Sequence, residues 1–273
     1  VTARGRKAAD LLSMTESGEL DGCYFSSSYL AKRVPNLGLF DQHFVVPDRR
    51  TAYALLDGKL GESLAQDVAQ RTGYVVLGYW DNGLRQISSG RGPIRTPAHC
   101  AGLKIRTLAS NDHQRVFAAL GFEPKAIDVR DLPEAVASFQ VDAQENPLTN
   151  IYNFGLHKTH RHITLTRHLL GVALVLFNKE RVAAWSELVR TGVAAALAEA
   201  TAAQRGFAEE DDTICAEKLR ADGVELIELS AIERDAFVAA TRDEVATTRS
   251  AFSTDLLALF DQELAKAAGG LVR

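Results

Sequence analysis

The sequence predicts an α/β fold with parallel strands and crossover helices, and three observations carry that prediction. Between Leu103 and Pro147, short apolar runs alternate with helical segments, the pattern that places helices across a parallel sheet. That stretch opens on Gly102-Leu103-Lys104-Ile105-Arg106 and closes on Val141-Asp142-Ala143-Gln144-Glu145-Asn146-Pro147, two strand patterns that end on polar side chains. Tyr74 to Trp80 is nearly continuously apolar, as expected of a strand buried on both faces. Ligands of open α/β sheets bind at the carboxyl ends of neighbouring strands, so Arg106 and Asn146 are candidates for one site.

Taken in order, residues 4 to 18 place Ala8, Leu11, Leu12 and Met14 near one helical face, and Gly18 suits the C-cap. Leu20 to Phe25 reads as a strand running into Ser26-Ser27-Ser28, before Tyr29 and Leu30. Serines at a helix start offer hydroxyls and backbone N–H groups together, which suits an anion, although an ordinary N-cap is their commoner role. Residues 49 to 72 read as helical with a break at Gly58. Asp81-Asn82-Gly83 then ends the buried strand, and Leu84-Arg85-Gln86-Ile87-Ser88 begins another. Such a turn signal ordinarily marks a hairpin; beside Trp80 and Arg85 it reads as a crossing between domains.

Past Pro147, residues 148 to 154 form a short helix, and His162 to Thr166 and Leu170 to Phe177 read as two strands. From Ser186 to Asp222, Val189, Val193, Ala196, Ala200, Ala203, Phe207 and Ile214 mark one amphipathic helix. At 1.5 Å per residue it is roughly 54 Å long, enough to span two lobes. Gly223 ends it, Val224 to Leu229 is a short strand, and Ser230 with Glu233 forms a capping box for the next helix. Gly269-Gly270 marks a frayed C-terminal tail.

The 273 residues are 46% hydrophobic and 24% charged, the composition of a soluble globular protein with one large or two ordinary domains. A net charge of -4 gives no reason to expect a nucleic-acid or anionic-membrane partner. No run of about 18 apolar residues is present, and the first residues carry no hydrophobic leader, so a precursor segment is expected to have been removed. Cys23, Cys100 and Cys215 match no zinc spacing; one disulfide is compatible with three cysteines, and at least one thiol is then left over.

No Walker loop, dinucleotide fingerprint, nucleophile elbow or HExxH motif is present. His157-Lys158-Thr159-His160-Arg161-His162 lacks a carboxylate or cysteine at ligand spacing and reads as a solvated basic loop, so neither metal nor cofactor is expected. Arg85, Arg106 and Asn146 all follow strands, and none is a general base at neutral pH. An arginine fork holds a carboxylate with two hydrogen bonds, and asparagine adds a neutral donor and acceptor. That combination suits holding an anion, not transforming one.

The residues that carry these features also carry a resemblance. Tyr79-Trp80-Asp81-Asn82-Gly83-Leu84-Arg85-Gln86, then Gly102-Leu103-Lys104-Ile105-Arg106, then Val141-Asp142-Ala143-Gln144-Glu145-Asn146-Pro147-Leu148 resemble, in order and spacing, the DctP-like substrate-binding proteins of tripartite ATP-independent periplasmic (TRAP) transporters. Gly18-Glu19-Leu20-Asp21 and Val34-Pro35 through Phe40-Asp41 fit the upstream pattern. The resemblance implies a two-lobed periplasmic binding protein fold with a long interdomain helix. It places residues 1–83 plus about 172–215 in an N-terminal lobe that lacks its first strands, and 84–171 plus 230–267 in a C-terminal lobe, with 186–222 spanning both.

The resemblance further implies a monomeric periplasmic receptor, not an enzyme, that delivers a small organic acid to TRAP membrane subunits. Arg106 is then the carboxylate clamp, and Asn146 and Arg85 are further contacts. Trp80, Asn82, Ser26, Ser27, Tyr29, Val129 and Leu170 complete the expected ligand-binding set, with no catalytic or metal residue. Leu84, Val129, Leu170 and Val172 make the expected surroundings apolar, which favours an acid with a hydrophobic body. The chain departs from the family pattern at Ala143, where many members have glycine, and at Val129-Arg130-Asp131, where many have an aromatic followed by Ser-Glu. Two alternatives are a sensory binding protein and an enzyme using Asp81, Asp131 or Glu145 as base.

Overall fold

A computed structural model of the chain describes residues 9–108 and 110–269. Its first part comprises helix α1 (Asp10–Glu16), strand β1 (Gly22–Ser26), 3-10 turns at Ser27–Tyr29 and Pro35–Asp41, and helices α2 (Arg49–Asp57) and α3 (Lys59–Arg71). Strand β2 (Tyr74–Ser89) leads into β3 (Lys104–Thr107), α4 (Asn111–Ala119), β4 (Glu123–Ala126), α5 (Leu132–Ala137), β5 (Ala143–Pro147) and α6 (Leu148–Asn153). Strand β6 (His162–Asn178) returns, and α7 (Lys179–Ala183), the long α8 (Glu187–Ala221), β7 (Glu225–Ile227), α9 (Ala231–Ser250) and α10 (Thr254–Gly269) complete the chain. Parts of the first helical segment and of the C-terminal tail lie outside the described residues.

Among the described residues, seven strands form one sheet in the order β1-β6-β2-β5-β3-β4, with β7 beside β6. β3 is parallel to both β4 and β5, the arrangement expected from the α/β alternation. Two predictions about strand continuity are corrected. The runs on either side of Asp81-Asn82-Gly83 are one strand, β2, and the turn signal is a bulge between Asp81 and Leu84. Likewise the two predicted runs between His162 and Phe177 form one strand, β6, whose register slips opposite Arg85 to Ile87. A bulge and a hairpin use the same residues, because both need a positive φ. Gly83 supplies it at +88°, and a β-carbon there would lie 2.4 Å from that of Pro147.

β2 and β6 run antiparallel through the whole molecule and join two lobes. One lobe packs β1, α2, α3 and the second half of β6 around Leu37, Leu55, Leu64, Val68, Leu174 and Phe260. The other has a core on each side of its sheet: Val136, Ile151, Ile163 and Leu219 in one, Ile105, Phe117, Leu120 and Phe237 in the other. α8 lies across both: Trp80 Nε1 donates to Thr201, the Asp81 backbone exchanges two hydrogen bonds with the side-chain amide of Gln204, and Cys215 and Leu219 enter the second lobe.

The C-terminal helices divide between the lobes. The capping box of Ser230 and Glu233 starts α9, whose Phe237 enters the core below α4. α10, grouped with the second lobe from the sequence, instead inserts Leu256 and Phe260 into the first core, among the side chains of α2 and α3. An amphipathic stripe states that a helix has a buried face but not what covers it. All three cysteines are free. Among the described residues, no helix is long and apolar enough to cross a membrane.

Candidate functional site

Arg106 stands in β3 between Lys125 of β4 and Gln144 of β5, and only 2% of the residue is exposed. Its Nε donates to the carbonyl of Ile127 at 2.9 Å. Its Nη1 is buried and has no partner among the described residues. Burial pulls the guanidinium below its ordinary pKa, with Arg85 adding to the effect and Glu145 opposing it. An arginine nonetheless remains a cation and cannot shed its charge to escape burial. A buried unpaired donor costs about 1–3 kcal/mol, more when charged, so this nitrogen favours any acceptor that can reach it.

The space beside Arg106 is a cavity of about 330 Å³. Leu108, Ser110 and Asp128 line it from the strand ends of the second lobe, and Ser28, Tyr29 and Lys32 from the first. The walls follow from local sequence. β1 ends on Ser26, whose hydroxyl shares a hydrogen bond with Ser28 at 3.1 Å, and the serine run turns straight into a 3-10 turn. That turn carries Tyr29, whose ring meets Phe25 at 4.7 Å. Burial, reinforced by the Asp128 charge, raises the Tyr29 phenol and keeps it a neutral donor. Ser110 caps α4, its hydroxyl accepting from the His113 backbone.

Arg85 is also buried, but its charge is matched. Its Nη2 donates to Glu145 Oε1 at 2.9 Å and to the Glu145 carbonyl at 2.8 Å, and its Nε donates to Glu145 Oε2. Burial alone would raise the Glu145 carboxyl; the Arg85 charge and its hydrogen bonds, with the His168 ring 3.4 Å away, hold it well below its ordinary range. Asn146 is held from three sides: its Nδ2 donates to Gln144 at 2.6 Å, and its Oδ1 accepts from Asn150 at 3.2 Å and Arg85 at 3.4 Å. Gln144 in turn donates to Ser88, which bonds His160.

Of the predicted site residues, Tyr29 therefore shares the cavity with Arg106, and Arg85 and Asn146 touch each other in a network behind it. Ser26 and Ser27 sit beside the cavity-lining Ser28, with Ser27 buried in the turn. Trp80 faces α8 and rests on Tyr24 with ring centres 5.2 Å apart. Asn82 crowds Gly171 on the neighbouring strand. Val129 follows the cavity-lining Asp128, outside the lining itself. Leu170 packs with Ala52 and Leu84, and Val172 enters the first lobe's core. Leu84, Leu170 and Val172 are thus core, and the cavity wall mixes Leu108, Ala126 and Ile127 with polar side chains.

Lys32, Ser110 and Asp128 were missed. Asp128 follows the end of β4, so the carboxyl-end rule that singled out Arg106 and Asn146 also reaches it once β4 is recognised. Lys32 gives no such signal, because a lone lysine after a turn is ordinary surface chemistry. A larger groove of about 750 Å³ lies along α8, but the half-buried arginine there, Arg49, pairs with Asp81 at 2.7 Å and Asp212 at 3.0 Å. His160 and His162 do not act together: His160 bonds Ser88 and His162 pairs with Glu225.

A family model described as bacterial extracellular solute-binding protein, family 7 (DctP), matches residues 6–250. The chain is 29% identical over 238 residues to the 2,3-diketo-L-gulonate-binding periplasmic protein YiaO of Escherichia coli K12, covering 87% of this chain and 72% of that protein. To the C4-dicarboxylate-binding periplasmic protein DctP of Rhodobacter capsulatus it is 30% identical over 209 residues, covering 75% and 61%. Among solved structures, a TRAP periplasmic solute-binding protein from Ralstonia eutropha H16 with bound (S)-2-acetolactate superposes with a TM-score of 0.86 at 26% identity. The overlap covers 93% of this chain and 82% of that one. The galactonate complex of a sugar acid binding protein from Advenella mimigardefordensis superposes with a TM-score of 0.89 at 24% identity, covering 95% and 84%.

Proposed function

The chain belongs to the bacterial extracellular solute-binding proteins of family 7, and from that premise we propose that it captures a small polar organic acid on Arg106 and delivers it to the membrane subunits of a TRAP transporter. The observation that carries this reading is the buried Nη1 of Arg106, a cationic donor that borders a cavity and has no partner among the described residues. A carboxylate satisfies it with charge-assisted hydrogen bonds, roughly twice as strong as neutral ones. The relatives named for 2,3-diketo-L-gulonate and C4-dicarboxylates, and the acetolactate-bound neighbour, support the same ligand class.

The far end of the acid is polar in this reading. Ser28, Lys32, Ser110 and Asp128 offer hydroxyls and both charges, and only Leu108, Ala126 and Ile127 are aliphatic. A volume of about 330 Å³ stands at the small end of the usual range of about 300–1,000 Å³ for ligand pockets. Arg85, Glu145 and Asn146 act as the rigid backing of the clamp.

The ligand bridges two lobes: residues 1–83 with about 172–215 and α10 form one, residues 84–171 with α9 the other, and α8 braces both. Because Arg106 belongs to one lobe and Ser28, Tyr29 and Lys32 to the other, an acid held between them binds the closed form better than the open one. Closure then presents one surface to the membrane partner, with the protein acting as a periplasmic monomer. A panel of organic acids tested by thermal shift checks the ligand class: polar hydroxylated or dicarboxylic acids raise the melting temperature. Shifts confined to acids with an apolar body would overturn the polar reading.

A further inference from the structure

The carboxylate site leaves unused a cluster of three buried imidazoles. His43 follows the 3-10 turn at Pro35–Asp41, His113 lies in the first turn of α4, and His168 lies on β6. The rings of His43 and His168 stack 5.3 Å apart with planes 6° from parallel, and His113 meets His43 at 4.6 Å and 68°. Phe117 packs edge-on against His43 and His168. None of the three histidines is more than 2% exposed.

Their nitrogens are poorly satisfied. Among the described residues, neither ring nitrogen of His43 or of His113 has a hydrogen-bond partner. His168 Nδ1 shares a hydrogen bond with Thr166 at 2.7 Å, and its Nε2 faces Glu145 Oε2 at 3.4 Å. The backbone is strained at the same place. Phe44 and Arg167 hold φ of 62° and 42°, a region that non-glycine residues seldom occupy. The Phe44 N–H donates to the carbonyl of His168, the residue after Arg167, at 2.7 Å, which ties the two strained segments together. Ring packing therefore holds a strained segment in place, with His168 alone of the three rings anchored by a hydrogen bond.

We propose that this stack is a proton-sensitive latch, which fixes the segment 42–46 against α4 and β6 while its imidazoles are neutral and releases it when they take up protons. The charges around the stack favour that behaviour. On β5 and β2, Glu145 faces the cluster, but Arg85 already neutralises it. Arg106 on β3 adds a further positive charge close to His113. On α9, Arg234 lies over the Phe44 ring at 5.3 Å and weighs against a proton on His168. Asp112 on α4 pairs with Arg115 at 2.8 Å. Burial pushes His43 well below its ordinary value, helped by the two neighbouring rings, and lowers His113 from 6.5 to about 4.

The sign follows. A histidine whose folded pKa is depressed stabilises the packed state above 6.5 and loses that contribution as pH falls toward the folded value, tenfold per pH unit per ring. Asp41, raised by burial to about 7, titrates in the opposite sense over the same range, so variants must be compared with wild type. Since His168 also faces Glu145, release reaches the backing of Arg85 and Asn146. This last step alone rests on the carboxylate reading.

Hydrogen exchange of the Phe44 amide, in ligand-free protein from about pH 8 to about pH 5 and corrected for intrinsic rates, tests the latch. Protection in wild type falls as pH drops through 6.5, and His43→Phe and His113→Phe each flatten the slope by about one proton, tenfold per pH unit. Equal slopes in wild type and both variants overturn the proposal. Should His43→Phe fail to fold, His113→Phe carries the comparison. No ligand is present, so failure here is separate from failure of the carboxylate reading.

Discussion

Arg85 and Arg106 are both buried arginines beside β5, yet their surroundings differ in kind. Arg85 gives its fork to Glu145 and rests against Asn146, so its charge is answered inside the protein. Arg106 has one backbone acceptor at its Nε and an unanswered Nη1 on a cavity. A buried cation that is fully paired is architecture; one left a donor short beside a cavity is the feature on which the proposed site rests. The difference lies in one carboxylate, Glu145, which the first arginine owns and the second only feels at a distance.

The largest expected effect breaks the paired side of this comparison. Arg85→Ala leaves Glu145 buried and uncompensated, which costs about 3–5 kcal/mol of stability in urea unfolding. Replacing both partners with apolar residues, Arg85→Met with Glu145→Leu, recovers most of that loss. A single variant as stable as wild type would show that the pair is not what holds β2 to β5. The same pair sets the acid limit. Glu145 is depressed well below its ordinary 4.5, so it contributes stability above 4.5 that is lost as pH falls below that value. Acid unfolding followed by circular dichroism is therefore steep below 4.5 in wild type, and the double variant loses its Glu145 component.

A smaller effect is expected at the bulge that places Arg85. Gly83→Ala puts a β-carbon 2.4 Å from that of Pro147 at a φ of +88°. It should cost about 1–3 kcal/mol, read as a lower denaturation midpoint. A neutral outcome would show that β2 can lie otherwise against β5. Smaller still, Thr201→Val removes the acceptor of Trp80 Nε1 and costs about 1 kcal/mol, with no change in acid binding, because that bond braces α8.

The sequence and the structure agree where local pattern decides and part where partner choice decides. The carboxyl-end rule brought out Arg106 and Asn146, and periodicity brought out α8, because strand ends and helical faces are written locally. The fate of Arg85 was not legible: nothing in a spacing says that Glu145, one residue before Asn146, folds back onto it. Asp81-Asn82-Gly83 reads alike as hairpin or bulge until β5 is beside it. Leu170 and Leu84 looked like pocket lining because apolar residues at strand ends serve either purpose, and only packing against Ala52 decides. Lys32 entered the site through tertiary proximity alone. The resemblance supplied the two lobes and the transport role, which no single spacing contains.

The central claim is that the open donor of Arg106 holds the ligand's carboxylate. The most direct measurement identifies the acid released from purified protein by mass spectrometry, then titrates it calorimetrically into wild type and Arg106→Ala, with unfolding measured alongside. Affinity should drop from about thirty-fold to several thousand-fold, the 2–5 kcal/mol expected for truncating one partner of a buried charged pair. Stability should change by only about 1 kcal/mol, because the lost Ile127 bond is offset by removing a buried unpaired cation. Undiminished affinity in Arg106→Ala would contradict the account.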